Sequence, residues 1–473
     1  MKNNQPNIIL LVMDTVRADH CSAWGYQRRT TPFLEALSRQ ATLYSRAIAP
    51  SSWTLPVHIS LFTGLYPSEH GVLNGQHKLS KDTPLLAELL KKQGYHTAGF
   101  SNNPWASSLQ GMDRGFDVFE EVFRGKRGEE KTVWKKNLDR LRHLLFLEDN
   151  GAEETNQRIR NWLTARAGGS REPVFLFVNY MDAHQVYNPG RPYHKLFGGG
   201  WNSYLEMIQN RNIARGKEQI YAGFRQLKSE DYAAMINMYD RAIAYLDSQL
   251  AEIIADLDRV FPAEESLLII TSDHGDNFGE HKLNDIGLIG HLFSLHQSLV
   301  HVPLLVRYPD LFPPGERRDD LVQLQDIFPT ILKILDSEQD GFEKWWRHSL
   351  LEAGSRELAI MEYLSPKIQL DRFQKDCPQG SFEPFEISIQ AVQNTRFKAV
   401  EYDKYPAEFY DLIEDPGEIQ NLAGNNSREE KELLARLASW KQEIQQGELD
   451  PDGQPEEAEN PAILKRLRDL GYL

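Results

Sequence analysis

Residues 267–276 read L-L-I-I-T-S-D-H-G-D and residues 7–14 read N-I-I-L-L-V-M-D, two continuous apolar runs that stop abruptly at carboxylate or imidazole groups. A strand that is apolar at every position, instead of every second one, is buried on both faces, as in a parallel sheet covered by helices. Such sheets deliver polar ligands at the carboxyl edge of their strands, which sets Asp14, Asp273 and His274 on one rim. A third run, V-F-L-F-V at 174–178, leads to Asp182 and His184 at the same edge. Strand and helix patterns alternate from residue 7 to about residue 335, the signature of a doubly covered sheet. The helix at 239–257 is the clearest, with Ile243, Leu246, Leu250, Ile253 and Leu257 at helical spacing and Asp240, Arg241, Asp247 and Glu252 largely off that stripe. Its apolar face is expected to pack on the sheet and to carry no chemistry.

Residues 54–64, T-L-P-V-H-I-S-L-F-T-G, supply a candidate nucleophile in Thr54. Sulfatases carry Cys or Ser, then Pro two residues on, Arg four on, and Thr-Gly nine and ten on; here Thr54, Pro56, His58, Thr63 and Gly64 occupy those places. Further landmarks are D-T-V-R-A-D-H at 14–20, Y-M-D-A-H at 180–184, D-H-G-D-N-F-G-E-H at 273–281, H-V-P-L-L-V at 301–306 and F-Y-D-L-I-E-D-P-G-E at 409–418. Over nearly its whole length the chain resembles a sulfatase-type member of the alkaline phosphatase superfamily. The resemblance implies an α/β fold, a large mixed, mostly parallel sheet covered by helices on both faces, with a small C-terminal antiparallel sheet. The expected division is a catalytic domain at 1–355 and an α+β subdomain with its tail at 356–473.

The departures bear on the chemistry. Sulfatases convert the motif Cys or Ser into formylglycine, a route not open to Thr54. Thr15 follows Asp14 where calcium-type sulfatases have a second Asp, His274 stands where they usually have Asn, and His58 replaces the motif arginine. Their Lys and His after an Ala-Gly pair are absent, since A-G-F-S-N-N occupies 98–103. What remains resembles single-metal phosphotransferases and phosphodiesterases of the superfamily, including lipoteichoic acid synthases, which use threonine, and phosphonate monoester hydrolases. A two-metal phosphodiesterase fits less well, because Asp182 and His184 are only two residues apart.

An anionic ester repels an incoming nucleophile, so its cleavage calls for a cation that neutralises nonbridging oxygens and acidifies the attacking hydroxyl. Asp14, Asp273, His274 and the Thr54 hydroxyl form the expected ligand set for one divalent metal ion. Carboxylate with imidazole favours manganese, with zinc, magnesium or calcium as alternatives. Either aspartate alone could equally cap a turn; their occurrence together with the Thr54 motif selects the functional reading. His184 and His291 fall near family positions that contact the transferred group or protonate its leaving oxygen, a task suited to imidazole. His58, Asn103 and Lys282 are candidate substrate-binding residues, while His70, His281, His296 and His301 read as structural. The expected activity is hydrolysis of phosphodiesters or of phosphonate or phosphate monoesters through Thr54. The alternatives are a sulfuric ester hydrolase working without formylglycine and a noncatalytic sulfatase-like binding protein.

Composition bounds the partners. In 473 residues, 53 basic against 68 acidic side chains give a net charge of -15, which argues against a general nucleic-acid surface and leaves room for a locally positive pocket. A small anionic ester is the expected partner, and homo-oligomers are left open. No apolar run approaches the ~20 residues that span a bilayer, no export signal is visible before the first strand, and Cys21 and Cys377 are too few for a disulfide framework. The expected location is the cytoplasm. Two excursions break the α/β pattern: 121–172, basic and helical, read as a solvated surface excursion, and 190–230, which follows His184 and could form a lid. The acidic stretch 448–459 reads as a connector before a terminal helix.

Overall fold

The computed structural model describes residues 5–73, 79–124, 145–146, 148–166, 172–335, 348–352, 354–364, 366–425 and 427–444. Its strands in chain order are β1 (Asn7–Met13), β2 (Thr42–Ile48), β3 (His96–Ser101), β4 (Val118–Glu121), β5 (Val174–Tyr180), β6 (Ser266–Thr271), β7 (Asn277–Leu283), β8 (Ile286–Gly290), β9 (His301–Arg307) and β10 (Arg317–Gln323). Eight of them form one sheet in the order β10-β2-β9-β6-β1-β5-β3-β4, while β7 and β8 pair as a separate hairpin. Within the large sheet only β9 runs antiparallel to its neighbours. The expected fold class is therefore the observed one, and its central trio β6-β1-β5 comprises the three strands whose apolar runs end in polar groups.

Alternation along these strands distributes their side chains between two cores. Ile9, Leu11, Leu176, Val178, Leu268 and Ile270 face one helical layer; Ile8, Leu10, Phe175, Phe177, Leu267 and Ile269 face the other. Helix α1 (Thr54–Thr63) belongs to the second layer and is buried at every position. Helices α2 (Ala152–Arg166), α3 (Trp201–Arg215), α4 (Lys217–Tyr221) and α5 (Ser229–Val260) contribute to the first.

Helix α5 corrects the sequence reading in extent and in role. It has 32 residues, and Asp240, Arg241 and Asp247, expected off the packed stripe, are buried. Asp240 binds His20 Nδ1 at 2.7 Å and accepts from Tyr26 and Arg28, both at 2.8 Å. Asp247 accepts from the backbone N–H groups of Phe33 and Leu34, and Arg241 pairs with Glu206 of α3. The helix is sandwiched, so its polar residues tie down the chain that follows Asp14. A hydrophobic-stripe argument sees only the sheet-facing side.

The C-terminal sheet comprises β11 (Ala359–Tyr363), β12 (Ile389–Gln393), β13 (Phe397–Tyr402) and β14 (Glu408–Asp411), antiparallel throughout in that order. Helix α6 (Lys367–Asp376) lies between its first two strands in the chain. Helix α7 (Arg428–Glu443) buries Leu433 and Leu437 against Ile360, Val392, Ala399 and Phe409. Among the described residues no helix is long and apolar enough to cross a membrane. Of the two excursions, 190–230 folds largely into α3 and α4, and 121–172 contributes α2. The basic residues at 126, 127, 135 and 136 and the acidic stretch 448–459 with the terminal helix lie outside the described residues.

Candidate active site

Asp14 follows β1, and Asp273 and His274 follow β6, the neighbour of β1 in parallel register. One ligand atom from each of the three lies within 4.8 Å of those of the other two, and all three residues are fully buried. Thr15 lies in the left-handed region at φ 61, and its backbone N–H donates to Asp273 Oδ1 at 3.1 Å while its hydroxyl donates to Ala183 O at 2.7 Å. The side chain after Asp14 is thereby turned onto the β5 edge. A β-branched residue held at positive φ is strained, and the three hydrogen bonds of this turn, including Tyr239 Oη to Thr15 O, keep it there.

Thr54 is the first residue of α1, the end at which free N–H groups and the helix dipole favour an anion. Pro56 is tolerated in the first turn because its missing N–H had no helical partner there. At the other end Gly64 adopts φ 72, and a Cβ there would come within 2.9 Å of the Phe328 ring. Thr63 donates to Ile59 O at 2.7 Å, so the Thr-Gly end of the motif closes and packs the helix that carries Thr54.

The Thr54 hydroxyl lies 3.2 Å from His274 Nε2 and 3.4 Å from Asn103 Nδ2. His274 Nδ1 is 2.9 Å from Gly275 O, so it carries the proton and leaves Nε2 bare, the arrangement of a metal-ligating imidazole. Asp14 Oδ2 accepts from Asn103 at 2.6 Å and from Asn179 at 3.3 Å. Asp14 Oδ1 and Asp273 Oδ2 have no hydrogen-bond partner among the described residues. Burial, reinforced by Asp273, pushes the Asp14 carboxyl up to about 8, burial pushes Asp273 up to about 7, and burial depresses His274. Two orphaned carboxylate oxygens and a bare ring nitrogen converging in a dry site fit a divalent cation, which would satisfy all three.

The other candidates divide. His58 sits beneath Thr54, its Nδ1 2.9 Å from Thr54 O and its Nε2 3.4 Å from Asn179 Nδ2. Burial holds it down to about 4, so it is neutral near pH 7 and does not replace the charge of the motif arginine. His291 has its ring 4.6 Å from that of His274 and 5.2 Å from that of His184. Lys282 is exposed on β7, whereas a buried lysine, Lys217 of α4, lies beside Gly290. Asp182 takes a backbone N–H from Asn150 at 3.1 Å. His70 lies 3.2 Å from both Ser60 and Pro56 O, His296 binds Ser294 and Glu408, His281 stacks on His296, and His301 binds Ser45 O. Both cysteines are buried and free.

Sequence reasoning missed Asn179 and Lys217. Asn179 had a signal, a polar residue inside the apolar strand V-F-L-F-V-N-Y; Lys217 had none. Beside α1 the chain also forms an apolar cleft, about 410 Å³ with its open mouth included, lined by Trp53, Pro56, Leu73, Leu292, Tyr363 and Ile368 among others.

The family model described as Sulfatase matches residues 6–337. The chain is 23% identical to the multifunctional alkaline phosphatase superfamily protein PehA of Trinickia caryophylli, covering 89% of this chain and 91% of that one. It is 22% identical to a choline-sulfatase of Rhizobium meliloti, covering 100% of this chain and 93% of that one. The structure resembles that of a phosphonate monoester hydrolase of Agrobacterium radiobacter with a TM-score of 0.69 at 21% identity, over 93% of this chain and 96% of that one.

Proposed function

The chain belongs to the sulfatase family of the alkaline phosphatase superfamily and is a hydrolase of that kind; from this premise we propose that it cleaves phosphodiesters or phosphonate or phosphate monoesters, with Thr54 as nucleophile. The carrying observation is the Thr54 hydroxyl, 3.2 Å from His274 Nε2 at the mouth of a helix N-terminus and beside the buried Asp14, Asp273 and His274. A divalent cation held by these residues, with manganese favoured by the carboxylate and imidazole donors, supplies positive charge to the ester's nonbridging oxygens and lowers the pKa of a neighbouring hydroxyl. Asn103 and Asn179 orient Asp14, and the Gly275 carbonyl orients His274. Thr54 Oγ1 gives its proton to a neutral imidazole, His184 or His291, and bonds to phosphorus as the bond to the leaving oxygen breaks; the imidazolium so formed passes that proton to the leaving oxygen. Water then attacks the threonine ester, the same imidazole takes its proton, and the Thr54 oxygen departs with that proton returned to it.

A threonine ester lacks the geminal hydroxyl through which a formylglycine hydrate expels sulfate, so a second substitution at the central atom is required. This favours phosphorus over sulfur. The choline-sulfatase relative supports the second reading, a sulfuric ester hydrolase acting without formylglycine. Parallel turnover of aryl sulfate, phosphate monoester, phosphodiester and phosphonate monoester by the metal-loaded protein, with Thr54 checked by mass spectrometry, separates the two. Metal-dependent turnover of phosphorus esters above sulfate is expected. Sulfate hydrolysis exceeding every phosphorus ester, with Thr54 unmodified, would overturn the first reading. The small anionic ester and a cytoplasmic setting remain part of the same proposal, as does the division into units at residues 1–355 and 356–473.

A further inference from the structure

Lys217 is 8% exposed, yet its ammonium makes no ion pair with any described carboxylate. It opens α4, a helix fixed to β8 by Tyr221, whose hydroxyl donates to Ile289 O at 2.6 Å and accepts from Ile289 N at 3.2 Å. That anchor sets the lysine over the next residue, Gly290. A Cβ on Gly290 would come 3.0 Å from Lys217 Nζ and 3.7 Å from Asp276 Oδ1, so the absence of a side chain there makes room for the ammonium. The residue after Gly290 is His291, whose ring lies against that of His274.

Of the other charged groups at this edge, the Arg17 guanidinium is matched by carboxylates, while Asp276 keeps one oxygen without a hydrogen-bond partner among the described residues. Arg17 is held by Asp19 at 2.7 Å and Glu280 at 2.6 Å. Asp276 takes the Tyr187 hydroxyl on Oδ2, and its Oδ1 lies 4.0 Å from His291 Nδ1. His58 and His291 are kept neutral by burial. Asp276 faces Lys217 across Gly290 but not within ion-pair distance. A buried cation so placed is costly unless a ligand supplies further negative charge, and burial draws the Lys217 ammonium down to about 8 although Asp276 opposes the shift. Resting on the reading of this edge as an ester site, we propose that Lys217 is a substrate-binding residue whose ammonium receives a nonbridging oxygen of the anionic group on the His291 side of Thr54. A dianionic phosphate then gains more from it than a monoanionic diester, and Lys217 sets part of the preference between them.

The test uses inorganic phosphate and the metal-loaded full chain. Calorimetric titration is expected to show phosphate affinity reduced about tenfold or more in Lys217→Met, and largely kept in Lys217→Arg, as for loss of a charge-assisted hydrogen bond. In the same Met variant kcat/KM should fall further for a phosphate monoester than for a phosphodiester, a bias that a merely structural lysine would not produce. Unchanged phosphate affinity in Lys217→Met, or equal losses on the two esters, would overturn the assignment. So would a wild-type structure with phosphate bound and Nζ outside hydrogen-bond distance, which settles the matter if the variant does not fold. Phosphate binding is read without turnover, so retained activity in Thr54→Ala would sink the nucleophile assignment and leave this one standing.

Discussion

At the scale of single residues the site depends on what each buried polar atom lacks. On the proposed mechanism Thr54→Ala deletes the attacking oxygen while Asp14, Asp273 and His274 remain as ligands, so turnover is expected to fall by at least about a thousandfold with metal content largely kept. Near-normal turnover by a purified variant with full metal content would remove Thr54 from the mechanism. The two carboxyls give a pH prediction whose sign is fixed. Both have folded-state values raised from 3.8, to about 8 for Asp14 and about 7 for Asp273. The metal-free folded state therefore binds more protons than the unfolded chain over that range, and its stability falls as pH rises from about 4 to about 8. A divalent cation favours the ionised forms, so its stabilising effect should grow over the same window. Melting curves in chelator and in manganese across this range check it; a chelated protein whose melting temperature rises steadily with pH contradicts it.

At the scale of elements, α5 holds the Asp14 turn from behind. Tyr239 Oη donates to Thr15 O at 2.5 Å and accepts from Arg17 N at 2.8 Å. Tyr239→Phe leaves both backbone groups buried and unpaired, and is expected to cost about 1–3 kcal/mol of stability and to weaken metal binding, because Asp14 is the residue before Thr15. Denaturant unfolding and metal titration of the variant read both effects, and full metal affinity would show that the turn does not need the clamp. The cleft between α1 and α6 is the second element-scale feature. Trp53 precedes Thr54 and Leu292 follows His291, so apolar walls adjoin two of the residues proposed to react. Ile368→Glu, on α6, should lower kcat/KM for aryl esters more than for methyl esters of the same acid; equal losses would exclude the cleft from ester binding.

At the scale of the whole molecule, the C-terminal sheet is joined to the catalytic edge by buried polar contacts. Lys398 and Glu418, both wholly buried, pair at 2.8 Å, and Lys398 also donates to Leu295 O at 2.6 Å, four residues after His291. Lys398→Met strands the Glu418 charge and is expected to cost about 3–5 kcal/mol, much of it recovered in Lys398→Met with Glu418→Leu. Unfolding of the two single variants and the double variant forms the cycle, and additive losses would deny the coupling. Glu418 closes the landmark F-Y-D-L-I-E-D-P-G-E, so a stretch legible as a family motif works here by docking one sheet onto the segment beside the other's site. The sequence by itself determined the doubly covered sheet and the rim carrying Asp14, Asp273 and His274, because a strand buried on both faces must be apolar throughout and its polar end is visible as an interruption. Its motif at Thr54, Pro56, Thr63 and Gly64 also singled out Thr54 as a candidate. Only the tertiary structure decided that Lys217 is buried beside Gly290 while Lys282 is exposed, that His58 is neutral, and that the polar residues of α5 are packed inside. Those outcomes depend on burial and on partners between 35 and 258 residues away in the chain, from Arg241 with Glu206 to Thr15 with Asp273, and neither periodicity nor local spacing encodes which distant carboxylate, carbonyl or layer a side chain will meet.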